Sequence, residues 1–166
     1  PGQILAVFDN LKQDAPKHNF TIGIVDDVTY TSLPLTQEIE TAPAGQTSAE
    51  FWGMGSDGTV GANKNSIKII GHATDLYCQA YFVYDSKKSG GLTQSHLRFG
   101  KTPIRSPYLI SAADFVACHT PSYVHKYDMV KNLKEGGTFL LNCPWDQDGL
   151  EQNLPASMKR ALAQKH

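Results

Sequence analysis

The chain has 166 residues, with 15 Lys and Arg against 16 Asp and Glu and a formal net charge of −1. This length fits one domain with a core large enough to fold alone. The balanced charge gives no signature of nucleic-acid binding, and no apolar run is long enough to cross a membrane.

Charge is unevenly distributed along the sequence. Residues 1–60 hold eight acidic and two basic side chains, whereas residues 61–166 hold eight acidic and thirteen basic ones. An acidic start and a basic remainder suit contact with other domains, or an anionic ligand on the basic side. Ordinary solvated charge is the alternative, and the sequence leaves both open.

The three cysteines, Cys78, Cys118 and Cys143, are widely spaced and odd in number. They form neither a disulfide framework nor a C-x-x-C pair, and their spacing is not that of an iron–sulfur site. With no signal peptide at the start, the pattern predicts a reduced, cytoplasmic protein that holds no metal of its own. Because the sequence begins at Pro1, we expect it to be a piece of something longer.

The first 48 residues predict a connection rather than a domain. Apolar residues at helical spacing in residues 4–11 indicate a short helix, and a polar link follows it. Thr21 to Val25 is a short β-type run, and residues 32–48 are rich in Thr, Pro, Ala and Gly. We therefore predict the tail of a preceding domain and a linker at 1–48, and an α/β domain at 49–166.

The stretch from Glu50 to Gly71 predicts a strand, a glycine turn and a helix. An apolar run ends the strand, three glycines follow, and apolar residues then recur at helical spacing up to Gly71, where we expect the helix to end. Ser56 or Asp57 is the expected cap. Such a turn predicts an anion site, since glycine lets a ligand approach the backbone and the helix start offers free N–H groups.

Nucleotide motifs fit this turn only in part. Gly53, Gly55 and Gly58 match the dinucleotide spacing G-x-G-x-x-G, but Asp75 precedes the second strand instead of following it. No Gly-Lys-Ser/Thr forms a Walker loop. A thiamine diphosphate site needs Gly-Asp-Gly and a downstream Asn, and no Asn occurs between Asn65 and Asn132.

Strands alternate with helices in the rest of the chain. Leu76 to Tyr84 has the continuous hydrophobicity of a buried parallel strand. Thr93 to Phe99 alternates like a half-exposed strand, on which we expect His96 to lie at the surface or at an interface rather than to be catalytic. Phe115–Cys118 and Thr138–Asn142 predict two more strands. This order predicts an α/β fold: three α/β/α layers around a mostly parallel, Rossmann-like sheet.

Two helices are predicted in the last third of the chain. One has Thr120 as its cap, begins at Pro121 and ends at Gly136, with Tyr123, Tyr127 and Val130 on its inner face. The other begins at Pro155, with Met158 and Leu162 inward and Lys159 and Arg160 outward. Cys118 and His119 are adjacent in sequence, so on a strand they point to opposite faces and make a poor catalytic dyad.

Several runs together resemble the gamma domain (domain III) of pyruvate:ferredoxin or pyruvate:flavodoxin oxidoreductase of the single-chain type. The resemblance extends from about Thr21 to Trp145 and is carried by Trp52–Asn65, Asp26–Thr29, Asp85–Gly91, Ser95–Gly100, Ala113–His119 and Leu141–Trp145. It implies a fragment of a cytoplasmic enzyme that oxidises pyruvate with coenzyme A to acetyl-CoA and carbon dioxide. It also implies a homodimer that passes electrons to ferredoxin or flavodoxin.

In enzymes of this family, thiamine diphosphate with Mg²⁺ and [4Fe–4S] clusters perform the chemistry, and both lie on other domains. We therefore expect the fragment alone to be inactive, with no catalytic residue. Our hypothesis for its role is binding of the coenzyme A phosphates. The glycine turn would form the cradle, and the loop after the second strand would supply charge if that strand lies beside the first. The residues are Gly55, Ser56, Asp57, Gly58, Thr59, Lys87, Lys88 and Ser89.

Two other functions stay open at this point. The first is a purely structural domain that docks with other domains of the same enzyme, through aromatic residues such as Tyr81, Tyr84, Tyr108 and Trp145. The second is a free-standing nucleotide-binding module, which the missing acid at the end of the second strand argues against.

Overall fold

The computed structural model describes residues 1–25, 28–37, 39–86 and 90–165. Its contacts divide the chain into two compact units, Pro1–Ala42 and Pro43–His166. This division falls six residues before the predicted domain start at Ala49. Lys87, Lys88 and Ser89, three of the predicted site residues, lie outside the described residues.

Among its described residues, the first unit contains one helix, α1, at Gly2–Leu11, which confirms the helix predicted there. The β-type run at Thr21–Val25 forms no strand, and only an isolated bridge joins Ile22 to Leu33. The side chains of Ile4, Phe8 and Leu11 are exposed within this unit.

The second unit holds the sheet and the remaining helices. Its elements, in chain order, are β1 at Thr47–Met54, α2 at Thr59–Ala73, β2 at Tyr77–Tyr84, β3 at Leu92–Gly100, β4 at Ala113–Cys118, a 3₁₀ helix at Pro121–His125, β5 at Leu133–Leu141, α3 at Gln147–Asn153 and α4 at Ala156–Gln164.

The five strands form one mixed sheet in the order β2-β3-β1-β4-β5. The pairs β1–β4 and β4–β5 are parallel, whereas β3 runs antiparallel to both β1 and β2. The α/β class is confirmed. The sheet is mixed rather than mostly parallel, because β3 follows β2 through a short loop and must reverse direction.

The two faces of the sheet carry different partners. Trp52 and Val116 belong to the apolar core, together with Tyr123, Met129 and Met158. On the opposite face, α2 packs against the sheet: a Cβ on Gly53 would meet Thr59, and Gly71 lies beside Cys78. The core therefore lies on one side of β1 and the helix that follows the glycine turn on the other.

Two expectations about β2 and β3 are wrong. β2 is an edge strand whose Tyr77, Tyr81 and Tyr84 are exposed, not a buried parallel strand. β3 lies between β2 and β1, so His96 is only 3% exposed and Arg98 is equally buried. Neighbouring strands, which the local alternation does not reveal, decide the burial of both.

The predicted helix from Pro121 to Gly136 is also wrong. The 3₁₀ helix ends at His125, and Gly136 lies inside β5 with φ of +69°. Val130 is buried as expected but in a turn, because the chain has to reach Leu133 and pair with β4.

The other two predicted helices are both present, although one of them ends later than expected. α2 is confirmed, but Gly71 does not end it: the helix continues to Ala73, and the Thr74 N–H donates to the carbonyl oxygen of Ile70. α4 is confirmed, with Pro155 as its N-cap residue and Met158 buried.

Candidate functional site

The glycine turn between β1 and α2 is braced by one carboxylate. Asp57 Oδ2 accepts the Met54 N–H and Oδ1 accepts the Thr59 N–H, both at 2.8 Å. Gly53 makes room for this arrangement, since a Cβ there would lie 2.8 Å from Asp57 Oδ2 and 2.7 Å from Thr59 Oγ1. The turn is therefore held in shape before any ligand binds.

Two residues of the turn adopt left-handed backbone conformations. Gly58, the N-cap residue of α2, has φ of +89°, and Ser56 has φ of +74°. A serine rarely takes this conformation, which costs about 1 kcal/mol or more. The exposed Ser56 hydroxyl is thus presented at the turn at some cost in stability.

The loop after β2 joins the same turn, although β2 is not the neighbour of β1. β3 lies between them, so the adjacency on which the lysine hypothesis depended is not present. Two backbone hydrogen bonds nevertheless connect the loops: Gly55 N–H donates to the Gly91 oxygen at 2.7 Å, and Gly90 N–H donates to the Gly55 oxygen at 3.3 Å. The end of β1 and the end of β2 therefore share one edge of the sheet.

A cavity of about 530 Å³ lies at this edge, large enough for part of a small ligand. Thr93, on its wall, is 5% exposed, and its hydroxyl has no hydrogen-bond partner in the described part of the chain. A buried hydroxyl without a partner is costly, so this one marks a place for a polar ligand atom or water. The lining residues are Gly55, Ser56, Val60, Tyr84, Asp85, Ser86, Leu92 and Thr93.

The described wall of this cavity contains no Lys or Arg. Asp57 is ionised in the folded protein: burial acts to raise its pKa, but hydrogen bonds from Thr59 and Met54 outweigh this and lower it. Asp85 places a carboxyl group in the described wall itself. Binding an anion here therefore depends on backbone N–H groups and on cations supplied from beyond the described wall.

The predicted site residues have different places in this structure. Gly55 and Ser56 line the cavity, Gly58 shapes the helix start, and Asp57 and Thr59 are engaged with each other in the turn. Sequence reasoning missed Thr93. Its only signal is its place one residue into the strand that follows the predicted loop.

Cys118 and His119 confirm the argument against a dyad. The Cys118 side chain is fully buried and its thiol donates to the Thr120 oxygen, whereas the His119 ring stacks on Phe51 with centroids 6.4 Å apart. Burial raises the pKa of the Cys118 thiol, which disfavours a nucleophilic thiolate.

A profile of the family described as pyruvate ferredoxin/flavodoxin oxidoreductase matches residues 48–166. The chain belongs to this family. The resemblance found in the sequence is confirmed, and the matched range contains the glycine turn and the sheet from the second residue of β1 onward.

The relatives of this chain are much longer than the chain itself. The pyruvate-flavodoxin oxidoreductase of Enterobacter agglomerans is 61% identical over 164 residues, which are 98% of this chain and 14% of that protein. The pyruvate:ferredoxin oxidoreductase of Moorella thermoacetica is 59% identical over 99% of this chain and 14% of its own length. The pyruvate dehydrogenase [NADP(+)] of Cryptosporidium parvum is 52% identical over 99% of this chain and 9% of its own.

A solved structure supports the fold of this oxidoreductase-family chain. The pyruvate oxidoreductase subunit PORC of Thermotoga maritima superimposes with a TM-score of 0.54 at 18% identity, covering 66% of this chain and 57% of that one. At this identity the likeness concerns the fold alone.

In the described ranges, no three His, Cys, Asp or Glu side chains come together in a group that would hold a metal ion. None of the helices described is both long and apolar enough to span a membrane.

Proposed function

We propose that this chain is part of an enzyme that oxidises pyruvate with coenzyme A to acetyl-CoA and carbon dioxide, and that its cavity edge binds coenzyme A phosphates. Relatives named as pyruvate-flavodoxin and pyruvate:ferredoxin oxidoreductases support the reaction. In this proposal, thiamine diphosphate, Mg²⁺ and [4Fe–4S] clusters belong to other parts of the longer enzyme. Ferredoxin or flavodoxin takes the electrons.

The observation that carries the coenzyme A proposal is the unpaired hydroxyl of Thr93. Its side chain is almost fully buried and its hydroxyl has no hydrogen-bond partner in the described part of the chain, while the residue lines the cavity beside the glycine turn. A hydroxyl in this position donates to a phosphate oxygen without first losing a protein partner.

The glycine turn supplies the remaining donors in this proposal. The first turn of α2 leaves the N–H groups of Val60 and Gly61 without an intrahelical acceptor, and the positive end of the helix dipole lies there. Asp57 then acts as a brace for the turn rather than as a ligand, because a second anion beside its carboxylate is repelled. Lys87, Lys88 and Ser89 would supply the charge and a further donor. When bound, coenzyme A supplies the thiol that accepts the acetyl group.

Calorimetry with coenzyme A, dephospho-coenzyme A and NAD tests this proposal, using the longer enzyme that contains this chain. Thr93→Val keeps the shape of the side chain and removes the hydroxyl, so we expect about tenfold weaker coenzyme A binding. Thr138→Val, at an exposed position on β5, is the matched control and should bind as the unaltered protein does. Lys87→Ala combined with Lys88→Ala should weaken binding, and more for coenzyme A than for its dephospho form.

Each part of this proposal can be contradicted by one result of the calorimetry. Equal affinity for Thr93→Val and Thr138→Val would remove the cavity from the proposal. Unchanged affinity in the double lysine variant would remove the lysines. NAD binding as tight as that of coenzyme A would favour a nucleotide module instead.

A structural docking role is the second candidate, and exposed aromatic side chains favour it. Tyr81 and Tyr84 on β2 are 58% and 56% exposed. The other two aromatics expected at such a surface are not exposed: Tyr108 lies partly buried beneath Arg98, and Trp145 packs against the core. Tyr84 also lines the proposed coenzyme A cavity, so the two roles share this residue, whereas Tyr81 does not line that cavity.

A further inference from the structure

The side of α2 that faces the sheet is polar where it is most deeply buried. Thr59 and Asn63 are the buried residues of this helix. A helix that packs against a sheet normally buries apolar side chains on this side. Residues four apart on a helix share one face, so Asn63 lies one turn further from the glycine turn than Thr59 does.

The start of α2 lies over the Thr93 end of β3. A Cβ on Gly53 would lie 2.7 Å from Thr59 Oγ1, so Thr59 lies directly above this residue of β1. Gly53 pairs with Thr93 on β3, and directly paired residues of neighbouring strands present their side chains on the same face. Thr59 and Thr93 therefore lie on the same side of the sheet.

One turn later, α2 lies over Ser95. The Nζ atom of Lys64 is 5.4 Å from the centre of the Phe82 ring, and Phe82 pairs with Ser95. Asn63 precedes Lys64 and is buried, whereas Lys64 is exposed, so Asn63 is turned towards the sheet at this level. Thr93 and Ser95 are two residues apart on β3, so their side chains lie on the same face, about 7 Å apart.

Three polar atoms beneath α2 have no hydrogen-bond partner among the residues that the structure describes. They are Thr93 Oγ1, Ser95 Oγ and Asn63 Nδ2. The exposed fractions of these residues are 5%, 0% and 4%. A buried hydroxyl or amide without a partner costs free energy, so three of them along one strand indicate a polar partner from outside the described chain.

We propose that internal water binds between α2 and β3, held by Ser95, Asn63 and Thr93, and that it extends the cavity at the glycine turn inward. Thr93 lines that cavity, so water reaches the inner end through it. The hydroxyl groups of Ser95 and Thr93 both donate and accept, and the amide nitrogen of Asn63 donates. A buried water molecule typically makes about three hydrogen bonds, which these groups supply.

Water fits this inner end better than an ion does. The three side chains are uncharged, and Ser95 has the aromatic residues Phe51 on β1 and Phe82 on β2 as its neighbours across the sheet. An ion would leave its hydration shell without gaining an opposite charge from these side chains. The proposal does not depend on coenzyme A, since the Thr93 hydroxyl can accept a hydrogen bond from water while it donates to a phosphate.

A crystal structure of the longer enzyme that contains this chain, at a resolution that shows ordered water, tests the proposal. We expect a water molecule within about 3.2 Å of both Ser95 Oγ and the side-chain amide of Asn63. Ser95→Ala removes the hydroxyl and should lose this water. Ser66→Ala is the matched control and should keep it, because Ser66 is exposed on the same helix and its hydroxyl donates to the Ala62 oxygen.

Asn63→Leu is the second variant, since leucine has the branched shape of asparagine without its polar atoms, and it should lose the water as well. Xenon pressure separates a hydrated space from a dry one, because xenon enters apolar voids that contain no water. Xenon density between Ser95 and Asn63 in the unaltered enzyme would overturn the proposal. So would an unaltered enzyme with no water at this position, or a water that stays in place in both variants.

Discussion

Glu50 and His96 lie opposite each other on β1 and β3, 3.8 Å apart between Oε1 and Nδ1, without forming an ion pair. Burial raises the pKa of Glu50 to about 7, and burial together with the Arg98 charge lowers the pKa of His96 to about 4. The imidazole is therefore neutral, and its Nδ1 accepts the Ile110 N–H. Asn132 donates to both Glu50 Oε1 and the Ile110 oxygen, so this polar group fastens the segment before β4 to the sheet.

Glu50→Gln should change how stability depends on pH. A raised carboxyl pKa stabilises the fold below the unfolded value of 4.5, and this contribution is lost as pH rises through about 7. Without the ionisable group, the unfolding free energy of the variant should rise relative to the unaltered chain by roughly 3 kcal/mol between pH 4.5 and 8. Urea titrations at a series of pH values measure this difference.

The pH dependence of the unaltered chain alone does not isolate the contribution of Glu50, because His96 also titrates with a shifted pKa. Its lowered pKa stabilises the fold above pH 6.5, and that contribution is lost as pH falls towards 4, which opposes the Glu50 effect in the overlapping range. Glu135→Gln, at an exposed position on β5, is the control and should run parallel to the unaltered chain. A Glu50→Gln curve that is also parallel would contradict the raised pKa.

Gly53→Ala and Gly61→Ala should have opposite effects on stability. A Cβ at Gly53 would lie within 2.8 Å of Thr59 and Asp57, so the start of α2 must move, and we expect a loss of about 2–3 kcal/mol. A Cβ at Gly61, inside α2, meets nothing within 4 Å, and alanine should stabilise the helix by up to about 1 kcal/mol. Thermal unfolding of both variants checks this, and a neutral Gly53→Ala would show that the turn is not tightly packed.

Local patterns predicted the glycine turn and α2 because both depend on residues close in sequence. Gly53, Gly55 and Gly58 mark the turn, and helical spacing marks the segment after it. Long-range pairing determined the rest. The spacing of Tyr123, Tyr127 and Val130 imitates a helix, but pairing with β4 draws the following residues into β5.

Only part of the candidate site could be predicted from the sequence, because the rest of it also depends on long-range strand pairing. The turn after β1 was found from its glycines, whereas Thr93 reaches the cavity because β3 reverses beside β1. His96 and Glu50 show the limit most clearly. The alternation around His96 suggests a half-exposed strand, and the neighbouring strands and loops are what bury both side chains.

Asp57→Ala should destabilise the domain by about 1–2 kcal/mol, because the Met54 and Thr59 N–H groups lose their acceptor. The lowered pKa of Asp57 fixes the sign of the pH effect: its contribution is present above the unfolded value of 3.8 and is lost as pH falls through the lower folded value. The stability difference should therefore shrink in acid. Guanidinium titrations at pH 7 and pH 3 measure it, with Asp148→Ala, an exposed residue of α3, as the control. A difference that stays constant or grows in acid would contradict the bracing role.

Ser56→Gly and Ser56→Ala separate backbone strain from the hydroxyl group. Glycine adopts the observed φ of +74° without strain, so Ser56→Gly should raise the unfolding free energy by up to about 1 kcal/mol, whereas alanine keeps the strain and should not. If the hydroxyl contacts the coenzyme A phosphates, both variants lose it, and both should bind coenzyme A about three- to tenfold more weakly. Normal binding by both variants would mean that the serine side chain faces solvent in the complex. A loss of affinity confined to Ser56→Gly would mean that the strained conformation, rather than the hydroxyl, holds the cradle open.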